Sequence, residues 1–248
     1  HPCRNGEKNA GTELQEQVAQ VRPSGIVVAA PLSNMPAIVD AVKATSTPYV
    51  LLSTGTDNGD EYQVATNDRE ISAEMTRYLA SLGHTRIAFI KGNRTHKAVG
   101  NRFTGYRDGL KASGLPYRKE LVVEGDNSIG SGEKCAESLL KLDQPPTAIF
   151  SANDDMAAGV VRVANRMGIS IPGDLSVAGC DDVSLAQQIY PSLTTIRQPL
   201  ASMAEAASRA LIAGSRGRQT NTGIETIPAR IQVRESTAPA SAAVTATG

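Results

Sequence analysis

The sequence has no tryptophan and only three phenylalanines, and aromatic residues make up 4% of its 248 residues. A binding face built from such a chain has few rings on which to stack a flat heterocycle. Cysteine is scarce as well. Cys3, Cys135 and Cys180 are odd in number and far apart, which excludes a disulfide framework and a CxxC zinc or redox site. Buried or idle thiols in a cytoplasmic protein are expected. An excess of one charge is also absent, with 25 basic and 25 acidic side chains. A neutral chain lacks the basic surface that a strong grip on a phosphate backbone requires. No stretch approaches the ~18 consecutive apolar residues of a membrane span, so no membrane partner is expected. No signal-peptide pattern opens the chain, which begins at His1 without methionine, so a start further upstream is expected.

The motifs of catalysis are missing too. There is no HExxH, no GxSxG and no clustered Cys/His set, and "DNSIGSGEK" lacks the Gly-Lys-Ser/Thr of a phosphate loop. The expectation is a protein that is not an enzyme and carries neither cofactor nor metal.

What is present is alternation. The apolar runs "GIVVAAP", "PYVLLST", "RIAFIKG", "ELVVEGD", "TAIFSAN" and "LSVAGCD" are separated by helical patterns. In one of these patterns Met156, Val160, Val163 and Met167 recur at helical spacing and predict a buried stripe. Gly83, Gly114 and Gly168 each follow a helical pattern, where a left-handed residue ends a helix. Near-continuous strands alternating with helices predict an α/β fold of parallel sheets covered on both faces. After Asp182 the order breaks. An extended "LTTIRQP" precedes one long amphipathic helix, and "TIPARIQVRES" closes the chain as a lone strand. Such returns suit two lobes with the chain crossing between them.

Two apolar runs end in carboxylate pairs, at Asp154–Asp155 and at Asp181–Asp182. Metal ligands, catalytic acids, helix caps and polar hands for a ligand all fit that pattern at first sight. The pairs are adjacent in sequence rather than one helical turn apart, which does not suit a metal cage. Asp154 reads as the cap of a helix starting at Asp155, and Asp182 as a turn residue. Asn153 and Asp181 stand where parallel strands end, and ligands of open α/β sheets bind outside those ends. An amide that donates and accepts, beside a carboxylate that grips neighbouring hydroxyls, suits a polyhydroxylated small molecule. Arg102 offers a guanidinium fork for paired oxygens. His96 follows another strand end, and His84 reads as fixing a turn.

Five segments also carry a family likeness. "LGHTRIAFIKG", "NRFTGYRDGLKASGL", "PTAIFSANDDMAAGVVRVANRMGISIPGDLSVAGCDDV", "PSLTTIRQPLASMA" and "VRES" resemble the effector-binding core of the LacI/GalR transcription regulators, from about Gly11 to Ser236. The resemblance implies a periplasmic-binding-protein-like fold of two α/β lobes with three crossings, near residues 64–68, 197–199 and 223–228. It implies a first lobe of residues 1–66 and 199–224 and a second of 67–198 and 225–236; past Ser236 the small, featureless "TAPASAAVTATG" reads by composition as a disordered tail at 237–248. It places effector contacts at Arg102, Asn153, Asp181, Ser53, His96, Asn127 and Gln198, with Asp154, Asp155 and Asp182 mostly structural.

Two departures from the family pattern bear on the effector. Asn127 stands where relatives commonly present an aromatic ring, and Cys180 stands where tyrosine or phenylalanine is frequent. A sugar, sugar acid or sugar phosphate is therefore expected ahead of a purine. The implied function is effector sensing between two lobes in a homodimer that meets operator DNA through a helix-turn-helix head absent from this chain. A solute-binding protein of a transporter or chemoreceptor is the alternative. The head, the hinge helix and the opening strand-helix-strand of the family precede the segment beginning at His1. The first lobe is thus expected to be incomplete, and an intact sheet made wholly from residues 1–66 and 199–224 would count against that.

Overall fold

The computed structural model describes residues 10–52, 61–215 and 223–241. Along the chain run α1 (Ala10–Val21), β1 (Ile26–Val28), α2 (Pro36–Lys43), β2 (Tyr49–Leu52) and β3 (Tyr62–Thr66). Next come α3 (Asp68–Ser81), β4 (Ile87–Lys91), α4 (Lys97–Ala112), β5 (Val122–Glu124), α5 (Ile129–Leu140), β6 (Ala148–Ser151) and α6 (Asp154–Arg166). The chain closes with β7 (Ser176–Asp181), α7 (Ser184–Gln188), β8 (Thr194–Arg197), α8 (Leu200–Ser215), β9 (Gly223–Ile227) and β10 (Arg230–Gln232). The α/β alternation is the one the sequence predicts. Among the described residues no helix is long and apolar enough to cross a membrane.

The chain divides into two compact units. The first comprises residues 1–67, 95–98 and 199–228, and the second comprises 68–94, 99–198 and 229–248. The first unit holds a four-stranded parallel sheet in the order β1-β2-β3-β9. An incomplete sheet is the expectation for this lobe. What forms is drawn wholly from residues 26–66 and 223–227, with β1 at one edge. The return to the second unit falls after Pro228, not after residue 224, because β9 pairs with β3 from Tyr62↔Gly223 to Thr66↔Ile227. The closing segment is therefore two strands rather than one. Pro228 has no N–H to continue the ladder, and β10 pairs antiparallel with β8 in the other sheet.

The second unit has a six-stranded sheet in the order β10-β8-β7-β6-β4-β5, parallel except for β10. Its central strands are buried, as the sequence pattern Ile87–Ile90 and Ala148–Ser151 requires for a sheet covered on both faces. The three phenylalanines gather here. Phe89 meets Phe150 edge-on at 5.2 Å and Tyr106 face-on at 5.0 Å, and Phe103 packs beside them at 5.8 Å from Phe89. All three phenylalanines of the protein thus serve the core.

Helix α6 buries Met156, Val160 and Val163, each contributing about 1.5–3 kcal/mol of apolar burial. The fourth residue of the predicted stripe, Met167, is exposed instead. The helix ends at Arg166, and Met167 is its C-cap ahead of Gly168 at φ +70°. Gly83 and Gly114 likewise take left-handed backbone, at φ +88° and +68°.

His84 does more than fix a turn. It is buried, with Nδ1 3.0 Å from Thr147 Oγ1 and Nε2 3.0 Å from Ser176 Oγ and 3.1 Å from the Ala238 carbonyl. A neutral ring satisfies this set by accepting from Thr147 at Nδ1 and donating to Ala238 at Nε2. Thr237 is also bonded to Tyr78 and Thr194, and Ala240 N donates to the Leu82 carbonyl. Residues 237–240 are therefore fastened to the second unit where a featureless tail was expected. The reason is a row of hydrogen bonds, from the Thr237 hydroxyl and from the backbone of residues 238 and 240, that composition does not reveal. Residues 242–248 lie outside the described residues.

Burial pushes the His84 imidazole below its ordinary range, opposed by its bond to Ala238. A depressed folded value means that the unfolded chain binds the proton more readily, so stability falls as pH drops below about 6.5. His84→Gln, compared with wild type in urea melts at pH 7.5 and 5.5, is expected to be about 1–3 kcal/mol less stable at the higher pH. The gap should narrow at the lower one.

Candidate functional site

In the second unit every strand but β10 runs the same way, so the carboxyl ends of β5, β4, β6, β7 and β8 line one edge of the sheet. The residues at or just past these ends are Asn127, Gly92 and Asn93, Asn153, Asp181 with Asp182, and Gln198. They are remote in sequence and neighbours here for that reason alone.

Arg102 comes to this edge from the first turns of α4. Its Nε donates to Asp68 Oδ1 at 2.8 Å and its Nη1 to the Ala152 carbonyl at 2.6 Å, while Nη2 lies 3.3 Å from Asp181 Oδ1. Gln198 Nε2 donates to the same Asp68 oxygen at 3.4 Å and lies 3.6 Å from Cys180 Sγ. Burial alone would disfavour the Arg102 charge, but the Asp68 and Asp181 carboxylates around it hold the guanidinium firmly protonated. Side-chain exposure grades this cluster from floor to rim, with Asp68 at 5%, Arg102 at 12% and Asp181 at 34%. The accessible carboxylate is Asp181.

The backbone that aims Asp181 is unusual. Asp181 and Asp182 sit at φ +118° and +58°, where side chains other than glycine are rarely found. Two arginines hold this turn down. Asp182 is bonded by Arg197 at one oxygen and by Arg234 Nη2 at 2.6 Å at the other. Burial would raise the Asp182 carboxyl, but these bonds outweigh it and keep it below the usual carboxylate range.

Asn153 and Asn127 form a second, more structural group. Asn153 Oδ1 accepts from Met156 N at 3.1 Å, so Asn153 and not Asp154 is the N-cap of α6. The cap falls one residue earlier than the sequence reading has it because α6 begins at Asp154, where that residue's own carboxylate turns inward. Asn153 Nδ2 donates to the Asn127 carbonyl at 2.9 Å, leaving one amide hydrogen for other use. Asn127, at φ +76°, accepts from Asn93 N at Oδ1 and so ties the loop after β4 to the loop after β5. A Cβ on Gly92 would lie 2.1 Å from that Oδ1, so this knot requires glycine.

Asp154 is buried and takes Thr195 Oγ1 at 2.6 Å and Val183 N at 3.0 Å. It braces the Asp181 turn against β8 from behind. Burial raises its carboxyl to about 7 despite those donors. The folded state therefore holds the proton more strongly than the unfolded chain, so stability is lost as pH rises from about 4 through 7. Asp154→Asn should show a flatter stability profile between pH 5 and 8 than wild type in thermal melts.

Of the sequence-predicted site residues, Arg102, Asp181 and Gln198 are brought together, and Asn153 and Asn127, past the ends of β6 and β5 on either side of β4, are bonded to each other. His96 belongs to the segment 95–98 that packs with the first unit. Ser53 lies outside the described residues. Asp68 is the residue that the sequence reading missed. As the first residue of a helix beginning "DREISAEM" it looks like ordinary helix-dipole matching, and no signal in the sequence points it at Arg102.

Comparison with known proteins agrees with this architecture. The family model described as a periplasmic binding protein-like domain matches residues 76–237. The regulator GalR of Salmonella typhimurium strain LT2 is 35% identical over 84% of this chain and 61% of its own length. Among solved structures, a complex of the transcriptional regulator CelR with cellobiose superposes with a TM-score of 0.85 at 27% identity, covering 93% of this chain and 71% of that one. A LacI family regulator from Enterococcus faecium with bound ribose superposes at 0.83 and 26%, covering 97% and 87%. The chain spans 49 to 61% of the length of the curated regulators it matches first. With its two α/β units and its matched domain, the chain belongs to the LacI/GalR family and carries that family's periplasmic-binding-protein-like fold.

Proposed function

We propose that this chain is the effector-sensing part of a transcriptional regulator, and that it binds a small polar metabolite against the strand ends of its second unit. The observation that carries the reading is the Arg102 cluster, a buried fork set between a floor carboxylate and a rim carboxylate at the edge where α/β sheets take ligands. Arg102, Asp181, Gln198 and the remaining amide hydrogen of Asn153 supply donors and acceptors for adjacent hydroxyls. Asn127 supports them by holding the loops, and Ser53 and His96 are assigned to the same effector from the family pattern. Cellobiose and ribose in related regulators support a sugar or sugar derivative as the class. The chain is a sensor and not an enzyme. It acts in a homodimer in the cytoplasm and meets operator DNA through a separate helix-turn-helix segment.

Effector shifts such a regulator only by its differential affinity for two states. A thermal-shift screen against sugars, sugar acids, sugar phosphates and purines tests the reading. At about 100 times its dissociation constant a true effector adds roughly 2.7 kcal/mol, or roughly 5–10 °C for a chain of this size. Stabilisation confined to purines, or none at all, would contradict the assignment.

A further inference from the structure

We infer that the effector held at this edge carries no net negative charge, and that Asp68 with Asp181 selects an uncharged, hydroxyl-rich compound over its phosphorylated or carboxylated counterpart. The inference rests on the effector-binding reading above and narrows it.

Arg102 is the cation of the cluster, and it already faces two carboxylates and a carbonyl. One guanidinium between two carboxyl groups leaves no surplus of positive charge for an incoming anion, and the most accessible member of the three is the half-buried Asp181. An anion approaching Arg102 must displace Asp181 or sit against it, and either arrangement is repulsive in a poorly solvated site. A hydroxyl pair meets no such barrier. It donates to Asp181 and to the side-chain oxygen of Gln198, and accepts from the remaining amide hydrogen of Asn153.

The other cations along the same edge are already paired. Arg197 and Arg234 hold Asp182. Arg94 grips both oxygens of Glu124 at 2.5 and 2.6 Å. Lys91 lies 3.7 Å from Glu124 and 4.0 Å above the centre of the Phe103 ring. A phosphate or carboxylate binder is built the other way, with cationic donors outnumbering carboxylates around the anion's place.

The test is isothermal titration of the whole chain with matched pairs at low salt: ribose with ribose 5-phosphate, glucose with glucose 6-phosphate and with glucuronate, and cellobiose. Wild type, Asp68→Asn and Arg102→Ala are compared, each with its melting temperature recorded so that a misfolded variant is recognised. Asp68→Asn keeps the shape and the acceptor for Arg102 while removing one negative charge. The uncharged member of a pair should bind wild type at least ~10-fold more tightly than its anionic partner. In Asp68→Asn the anion should gain ~10-fold while the uncharged compound changes by less than ~3-fold. An anion preferred by wild type and lost in Arg102→Ala would overturn this inference and leave the effector site standing. Binding indifferent to Arg102→Ala, or no binding in either class, would overturn the effector reading itself and this inference with it.

Discussion

Replacing Arg102 with alanine is expected to abolish effector-induced stabilisation and to lower the stability of the free protein as well. Two effects separate cleanly. The first is local electrostatics, because Asp68 is almost wholly buried and Arg102 is the cation bonded to it at 2.8 Å. Removing one partner of a buried pair leaves the other uncompensated and costs about 3–5 kcal/mol. The second is recognition. A hydrogen bond to a charged group is worth about 1.5–3 kcal/mol, so losing the fork weakens binding by roughly 10–100-fold for each bond it makes to the ligand. Arg102→Lys distinguishes them. It restores charge beside Asp68 and Asp181 but cannot reproduce the planar fork. Melting temperature should recover in large part while affinity does not. Recovery of both together would mean that Arg102 contributes charge alone.

The largest pure stability effect is expected at Gly159. Helices α5 and α6 approach so closely that a Cβ on Gly159 would lie 2.3 Å from the Ile129 carbonyl and 2.8 Å from Glu133 N. Across the same seam, a Cβ on Gly132 would lie 2.3 Å from the Met156 carbonyl. These neighbours are backbone, which cannot swing aside as a side chain can. Gly159→Leu must therefore separate two helices that cover a shared core, which overpacking measurements put at about 3 kcal/mol. For a chain of this length that corresponds to roughly 6–12 °C in melting temperature. Gly130, in the same helix α5, has nothing within 4 Å of its would-be Cβ. Gly130→Ala should then be neutral or stabilising by about 0.5–1 kcal/mol, as expected for a helix glycine in open space. Equal losses at both positions would show that the seam is not close-packed.

Much of the fold was legible in the order of residues. Strand periodicity and helix stops are local properties, so runs such as Ile87–Ile90, and glycines such as Gly168, announce their elements without tertiary help. The crossing implied by "LTTIRQP" was legible for a related reason, since an extended run ahead of a long helix breaks the alternation. Partnership was less visible. Asp68 looks like a helix-start acid, Asn153 like a free amide and Asp154 like a cap, yet the first grips Arg102, the second is the cap and the third braces β8. A strand end fixes where a side chain stands, but its partner comes from another element tens of residues away.

The sequence by itself determined the α/β class, the family, the scarcity of rings for stacking and the identity of Arg102, Asp181 and Gln198 as residues to watch. These follow from composition, periodicity and ordered motifs, which need no knowledge of what touches what. Only the tertiary structure decided that Asp68 shares Arg102 with Asp181, that Asn127 is tied into the loops, and that residues 237–240 are bonded to the second unit. Each is a contact between segments distant in the chain, chosen by the parallel sheet that gathers the carboxyl ends of its strands along one edge and their amino ends along the other.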